Sequence, residues 1–327
     1  MWNKLLERQL RRYIKTADVS GPEFQDLFAA ISQAYTHNEE DRQLIERSLD
    51  LSSRELSDAN KALREASRII EQKNKEMISS LEYARLVQNS LLAKESTIFE
   101  SFQHAFIFNR PREIVGGDFF WIREEKDRIF LSVADCTGHG VPGAFMSVIS
   151  FRLLNQAVRD LRITSPDEIL TYLNEEIKIA LSSRAGEIEN RDALDISMVV
   201  IEPGKKQISF SGLGHRILHA GAGKIEEYRG DRSHIGQNLN TTEKPVTLQA
   251  FSYENGDSMY LFSDGFPDQF GGDKLKKFGM DRLRGLLESI CHLPFQEQKQ
   301  ILESTFVAWK GAQVQIDDVL LIGVGLG

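Results

Sequence analysis

Four acidic positions in this 327-residue sequence share one kind of placement. Asp118 follows Gly116-Gly117 and opens the run DFFWI. Asp135 ends the strand-like run RIFLSVA and precedes CTGHG. Asp264 follows SMYLF and Ser263 and precedes Gly265, while Asp317 and Asp318 start VLLIGV. Carboxylates at strand ends beside glycines can converge on one edge of a sheet, where backbone and water approach closely. Carboxylates forced together repel, and burial raises their pKa values. A hard divalent cation relieves both effects, and all-oxygen ligation suits Mg2+ or Mn2+ rather than Zn2+. Two such ions would bind one water between them, lower its pKa and hold a phosphate oxygen. That arrangement hydrolyses phosphate monoesters without a covalent intermediate. Taken singly, each Asp reads more simply as a turn residue or helix cap.

The elements that must position these residues follow from periodicity. Short strand-like runs occur at 128–134, 196–201, 207–212, 258–262 and 319–324, with helical patterns at 143–161, 166–182, 280–289 and 294–309. The helices do not alternate singly with the strands, so a doubly wound parallel sheet fits poorly. The pattern predicts an α/β (α+β) layered fold, an antiparallel sandwich covered by helices. His215 and His219 fall in FSGLGHRILHAGAG, which reads as a structural hairpin without chemistry.

Residues 1–95 contain one glycine and one proline, the adjacent pair Gly21-Pro22, and read as helix broken at that point. From residue 49 a heptad column runs Leu49, Leu56, Leu63, Ile70, Met77, Ala84, Leu91. Its companion column, Ser52, Ala59, Ala66, Lys73, Ser80, Val87, is poor. A helix over 49–91 would be roughly 65 Å long at 1.5 Å per residue and cannot bury that seam alone. The expectation is a homodimer through a coiled coil of modest stability; a helix folded back on the N-terminal segment is the alternative. The boundaries expected are an N-terminal helical segment at 1–47, a linker helix at 48–95 and the catalytic domain at 96–327.

A formal net charge of −8 with 41% hydrophobic residues gives a globular chain and argues against a nucleic-acid partner. Two distant cysteines, Cys136 and Cys291, argue against a disulfide framework and for a reducing, cytoplasmic setting. No apolar run has the length of a membrane span. The basic amphipathic start, MWNKLLERQLRRYIK, reads as a packed helix before it reads as a membrane-surface one.

The motifs VGGDFFW, VADCTGHGVPGAFMS, LFSDGFPDQFGG and QIDDVLLIG, in this order and spacing, resemble the PPM-type serine/threonine phosphatases, specifically their bacterial SpoIIE-like (RsbU-like) branch. The resemblance spans about residues 80–327. It implies a fold of that type and two Mn2+ or Mg2+ ions bridged by Asp135. The main-chain carbonyl of Cys136 and Asp118 would complete one ion site; Asp264 and Asp317 would hold the other, with Asp318 the alternative to Asp317. It also implies a phosphorylated STAS-type (anti-anti-sigma-like) regulatory protein as substrate in a partner-switching pathway, with regulation through the linker helix. Leu320 stands where many relatives carry a threonine. His139 is a candidate general acid for the leaving alkoxide, or equally a helix cap or a residue that orients Asp135. Asp192 and Asp195 are candidates for a third, weaker cation or for a strand-start turn. Arg110 and Arg112 are candidates to steer a phosphate, or solvated surface arginines. The competing functional class is a scaffold that uses the same fold only to dock a partner.

Overall fold

The computed structural model describes residues 3–13, 21–136, 138, 140–182, 193–236 and 245–327. The chain divides into two compact units, Met1–Met77 and Ile78–Gly327. Helix α1 (Lys4–Tyr13) and the start of helix α2 (Pro22–Leu91) lie in the first unit. Proline at the head of α2 costs nothing, because its missing N–H would be unpaired there anyway. Leu6 of α1 and Phe28 and Ser32 of α2 are buried. Tyr35 donates a hydrogen bond to Gln9 Oε1 at 3.0 Å, tying the two helices.

Helix α2 is a single element of 70 residues, roughly 105 Å long at 1.5 Å per residue. From residue 33 to residue 77 it buries no side chain. Leu49, Leu56, Leu63, Ile70 and Met77 are all more than half exposed. Exposed ion pairs such as Arg54–Asp50 and Arg68–Glu65 line it. Such pairs contribute only about 0.3–0.5 kcal/mol each, so this stretch draws little stability from within its own chain.

The second unit is a four-layer sandwich. One sheet holds β2 (Phe119–Glu125), β3 (Arg128–Cys136), β4 (Leu194–Glu202), β5 (Gln207–Leu213) and β8 (Gln249–Ser252) in the order β2-β3-β4-β5-β8. The other runs β1-β12-β9-β6-β7, from β1 (Ala105–Arg110), β6 (Arg216–Gly221), β7 (Lys224–Arg229), β9 (Asp257–Phe262) and β12 (Val319–Leu326). All named pairings in both sheets are antiparallel.

Side chains alternate faces along each strand, and both faces are buried. Phe120, Leu131, Val133, Val199, Leu261 and Ile322 fill the space between the sheets. On the outer face of the first sheet, Trp121 and Phe130 pack with α4 (Val141–Asn155) and α5 (Pro166–Ser182) through Met146, Leu154 and Leu173. On the outer face of the second, Phe106 and Tyr260 pack with α7 (Met280–Ile290) and α8 (Phe295–Lys310) through Leu283, Leu302 and Phe306. A short α3 (Glu95–Ser101), a one-turn α6 (Gly265–Asp268) and a small hairpin, β10 (Phe270–Gly271) with β11 (Lys276–Lys277), complete the unit.

Two details differ from the sequence reading. The helix expected over 143–161 starts at Val141 and gives way at Gln156–Asp160 to a π turn. The segment around His215 is not a hairpin: β5 and β6 belong to different sheets, and the chain crosses between layers at Gly214-His215. The hairpin is β6–β7 instead.

A candidate metal centre at the rim of two sheets

The register of the first sheet lines up three acidic residues. Phe119 pairs with Ala134, so Asp118 lies one step beyond, beside Asp135; Asp135 pairs in turn with Asp195 on β4. In the second sheet, β9 and β12 end together: Ser263 N–H donates to Leu320 O at 2.9 Å, which brings Asp264 and Asp317 to the same end. The acidic residues thus come from both layers and meet at one rim.

Glycines allow the approach. A Cβ on Gly117 would stand 2.7 Å from the Cys136 carbonyl oxygen, and one on Gly265 would stand 1.8 Å from the Asp318 carbonyl oxygen. Neither position tolerates a side chain without backbone movement. Gly143 in the first turn of α4 is similarly confined, with a Cβ site 2.0 Å from Gly138 O and 3.1 Å from Gly117 Cα. The loop after Asp135, the start of α4 and the Asp118 loop are therefore packed backbone to backbone.

The electrostatics fit a cluster with missing countercharge. Burial drives the Asp118 carboxyl well above its usual range, and Asp318, Asp317 and Asp264 push it further; Ser263 offsets part of this. Asp135 is raised by burial first, then by Asp118, Asp264, Asp317 and Asp195. Asp264 is pushed up to about 6 by burial and Asp317, with Asp135 within hydrogen-bonding reach of it. One buried oxygen of Asp118, Oδ2, has no hydrogen-bond partner.

Asp318 behaves differently. It is buried, and its carboxylate accepts from Arg112 N–H and Gly117 N–H, both at 2.7 Å. Its oxygens serve the backbone. Asp317 Oδ1 accepts the adjacent Asp318 N–H at 2.9 Å. Gln315 braces this turn, donating to Arg110 O at 2.7 Å and Asp317 O at 2.8 Å.

The remaining candidates fall as follows. Asp195 pairs with His234 Nδ1, a partner that the sequence did not suggest. Arg112 Nη1 donates to Ile316 O at 2.7 Å, and Arg110 lies over the Phe306 ring at 5.8 Å, so both guanidinium groups have protein partners. Burial depresses His215 to about 4, leaving a neutral ring. Burial, then Asp135, raises the Cys136 thiol well above its usual range, so the thiolate is suppressed there. His139 and Asp192 lie outside the described residues. A contact that sequence reasoning missed reaches the same loop: Gln88 Nε2 donates to Gly116 O and to Ser147 Oγ, both at 2.8 Å. Gln88 sits off the heptad columns, so no periodicity marks it.

Among the described residues, no group of three or more His, Cys, Asp or Glu side chains stands ready to hold a metal ion. A hard cation that keeps several waters needs only one or two carboxylates and a carbonyl. The donor set at this rim is all oxygen, it repels itself, and one of its oxygens is orphaned; it suits such a cation.

Two antiparallel sheets face to face between helix pairs, with acidic residues gathered at one rim, define a PP2C (PPM)-type phosphatase domain. The structure superposes on the SiaA-PP2C domain of Pseudomonas aeruginosa with a TM-score of 0.70 and 27% identity, covering 78% of this chain and 98% of that one. The RsbU and RsbW domains of a Mycobacterium tuberculosis protein match in fold with TM-score 0.54 and 17% identity, over 68% of this chain and 59% of that one. The phosphatase domain with a regulatory fragment of SpoIIE from Bacillus subtilis matches with TM-score 0.54 and 15% identity, over 68% of this chain and 62% of that one. Residues 125–326 match the family model described as Stage II sporulation protein E. The chain belongs to the SpoIIE family of PPM-type phosphatases. Comparison with curated protein sequences gives no match.

Proposed function

We propose that this chain removes phosphate from serine or threonine of a regulatory protein of the STAS type, using two divalent cations, Mn2+ or Mg2+. The observation that carries the reading is the self-repelling set Asp118, Asp135, Asp264 and Asp317 at one rim, three of whose carboxyls are driven upward by burial and by one another. Asp135 is assigned to both cations, with the Cys136 carbonyl and Asp118 completing one site and Asp264 and Asp317 the other. The cations, when bound, supply a nucleophile at neutral pH and Lewis-acid stabilisation of the phosphoryl group. The chain's own residues hold the carboxylates at fixed spacing through the glycine contacts and the Asp318 and Gln315 braces. Asp195, which pairs with Asp135 in register, and His234, which bonds to Asp195, are assigned an orienting role beside that site.

Membership of the SpoIIE family supports a protein substrate and a partner-switching role. The exposed column Leu49, Leu56, Leu63, Ile70 and Met77 supports a homodimer formed through residues 49–91. No helix among the described residues is long and apolar enough to cross a membrane; we assign the protein to the cytoplasm. Segments 1–47, 48–95 and 96–327 are proposed as input, linker and catalytic regions.

Hydrolysis of p-nitrophenyl phosphate tests the assignment. Activity is expected with Mn2+, and is expected to vanish on chelation and in Asp135→Asn. Activity that survives both treatments would overturn it. Release of phosphate from a phosphorylated STAS protein, against a generic phosphopeptide, tests the substrate class.

A further inference from the structure

A second surface adjoins the acidic rim on the side of Asp264 and Asp317. The β10–β11 hairpin follows α6 directly, and α6 begins at the residue after Asp264. Beyond the hairpin the chain returns to α6: Phe278 N–H donates to Gln269 O at 2.9 Å and Gly279 N–H to Pro267 O at 2.7 Å. Lys277 Nζ pairs with Asp268 Oδ2 at 2.5 Å, and Asp268 stands close enough to Asp264 to raise its carboxyl further. The loop that leads into Asp317 is joined to the same place. Gln269 is fully buried; its Nε2 donates to Val314 O at 3.0 Å and its Oε1 accepts Ile316 N–H at 3.4 Å. One carboxamide therefore ties the base of the hairpin to the segment that carries Asp317.

A two-stranded hairpin is marginal by itself, but this one is braced from behind. Gly272 N–H donates to Trp309 O at 2.9 Å, and a Cβ on Gly271 would stand 1.8 Å from that oxygen. Trp309 Nε1 donates to Gln269 O at 3.0 Å. Arg282 lies over the indole at 4.8 Å and donates to Phe278 O at 2.6 Å. What the braced hairpin presents outward is apolar and basic. Phe270 is 40% exposed, and Val314 on the joined loop is 77% exposed. Phe270 and Lys277 are opposite one another in register, so they share the face on which Lys277 meets Asp268. Lys274 and Lys276 are exposed at and beside the tip. Residues 270–277 carry three lysines against one aspartate, in a chain whose formal net charge is −8. Apolar side chains already held in place lose little freedom when something covers them.

We propose that this platform docks the stretch of a protein substrate next to its phosphorylated serine or threonine, and that it selects stretches carrying an apolar residue and then an acidic one. With the phosphoryl group at the rim, an extended chain advances roughly 3.3 Å per residue. Its next residues pass over Phe270 and Val314, and those beyond reach Lys274 and Lys276. The carboxylates of the rim repel an acidic flank, and the lysines offset that repulsion where the flank leaves the rim. Lysines alone would attract any anion; the apolar pair beside them sets which residue of the substrate lies where. This deepens the phosphatase reading above and rests on it for the position of the phosphoryl group.

The test uses the full chain with Mn2+ and two synthetic phosphoserine peptides. In one the phosphoserine is flanked by leucine and glutamate; in the other serine and lysine replace them. Turnover of each peptide and of p-nitrophenyl phosphate is measured. Binding is read by fluorescence anisotropy with the same peptides carrying a non-hydrolysable phosphonate. Wild type is expected to favour the leucine–glutamate peptide by about tenfold or more, in kcat/KM and in affinity. Phe270→Ala, Val314→Ser and the double change Lys274→Gln with Lys276→Gln are each expected to lower that preference by about threefold or more. Their kcat/KM on p-nitrophenyl phosphate, which is too small to reach the platform, should stay within about twofold of wild type. Equal binding of both peptides by wild type would overturn the proposal. So would a preference untouched in all three variants, or p-nitrophenyl phosphate turnover falling in step with peptide turnover. If Phe270→Ala fails to fold, the other two variants decide. Wild type that prefers the leucine–glutamate phosphonate but hydrolyses nothing would sink the phosphatase reading and leave the docking surface standing; wild type that hydrolyses p-nitrophenyl phosphate and shows no peptide preference would do the reverse.

Discussion

Asp317 and Asp318 are adjacent, and the structure gives them opposite work, so exchanging each for alanine has opposite consequences. Asp318 accepts two backbone N–H groups at 2.7 Å, from Gly117, which is buried, and from Arg112, which is partly solvated. Hydrogen bonds to a charged acceptor contribute about 1.5–3 kcal/mol each, and a buried N–H left unpaired costs about 1–3 kcal/mol. With the Gly117 bond near the top of that range and the Arg112 bond near the bottom, Asp318→Ala is expected to cost about 3–4 kcal/mol. With a urea m-value of about 2–3 kcal/mol/M for a domain of this size, the unfolding midpoint should fall by about 1–2 M. Asp317→Ala removes the hydrogen bond to the next amide but also relieves repulsion on Asp118, Asp135 and Asp264. In chelator its unfolding free energy should stay within about 1 kcal/mol of wild type, while Mn2+-dependent turnover is lost. Urea unfolding followed by tryptophan fluorescence, in chelator, reads the first effect; calorimetric Mn2+ titration reads the second. An unchanged midpoint in Asp318→Ala, or loss of Mn2+ binding in Asp318→Ala alone, would exchange the two roles and refute the assignment.

Three further outcomes are expected. The raised carboxyl of Asp264, at about 6, and the upward shifts of Asp118 and Asp135 mean that chelated protein loses stability as pH rises through about 6, having held that contribution in full below the ordinary carboxyl range; thermal unfolding at pH 5 and 7.5, with Asp264→Asn flattening the difference and saturating Mn2+ abolishing it, checks the sign. Gly117→Ala places a methyl 2.7 Å from the Cys136 carbonyl oxygen and should displace it, lowering turnover at limiting Mn2+ by about tenfold; full activity at the wild-type Mn2+ requirement would count against the Cys136 carbonyl as a ligand. Replacing Leu56, Leu63 and Ile70 with lysine should halve the solution mass measured by light scattering if the exposed column pairs two chains; an unaltered dimer would send the interface elsewhere.

Much of the sandwich is legible in the sequence, because its strands are short apolar runs with glycine or charge at their ends. Pro166–Ser182 is helical over the expected limits, and Val319–Leu326 extends the run expected there by two residues. The aspartates stand out for a related reason: each stands at the end of an apolar run, Asp118 and Asp264 directly beside a glycine. What was hidden depends on contacts between distant segments. Asp317 and Asp318 look alike until the loop holding Gly117 is brought against one of them, 201 residues away in sequence. The Asp195–His234 pair joins a strand to a loop 39 residues on. The switch of layers at Gly214 looks like a tight turn, because glycine signals both; only the strand partners of β5 and β6 separate the two cases. Gln88 is a polar residue on a polar helix, and nothing in its neighbourhood announces that it is buried.

The rim has one more property. Asp118 and Asp135 ride on one layer, and Asp264 and Asp317 on the other. Face-to-face sheets are joined by side-chain packing rather than by a shared ladder, so they can shear slightly. Any such slip opens or narrows the gap between the two acidic pairs. A cation pair seated there would act as a rivet through both plates, so stiffness of the sandwich and occupancy of the rim should rise and fall together.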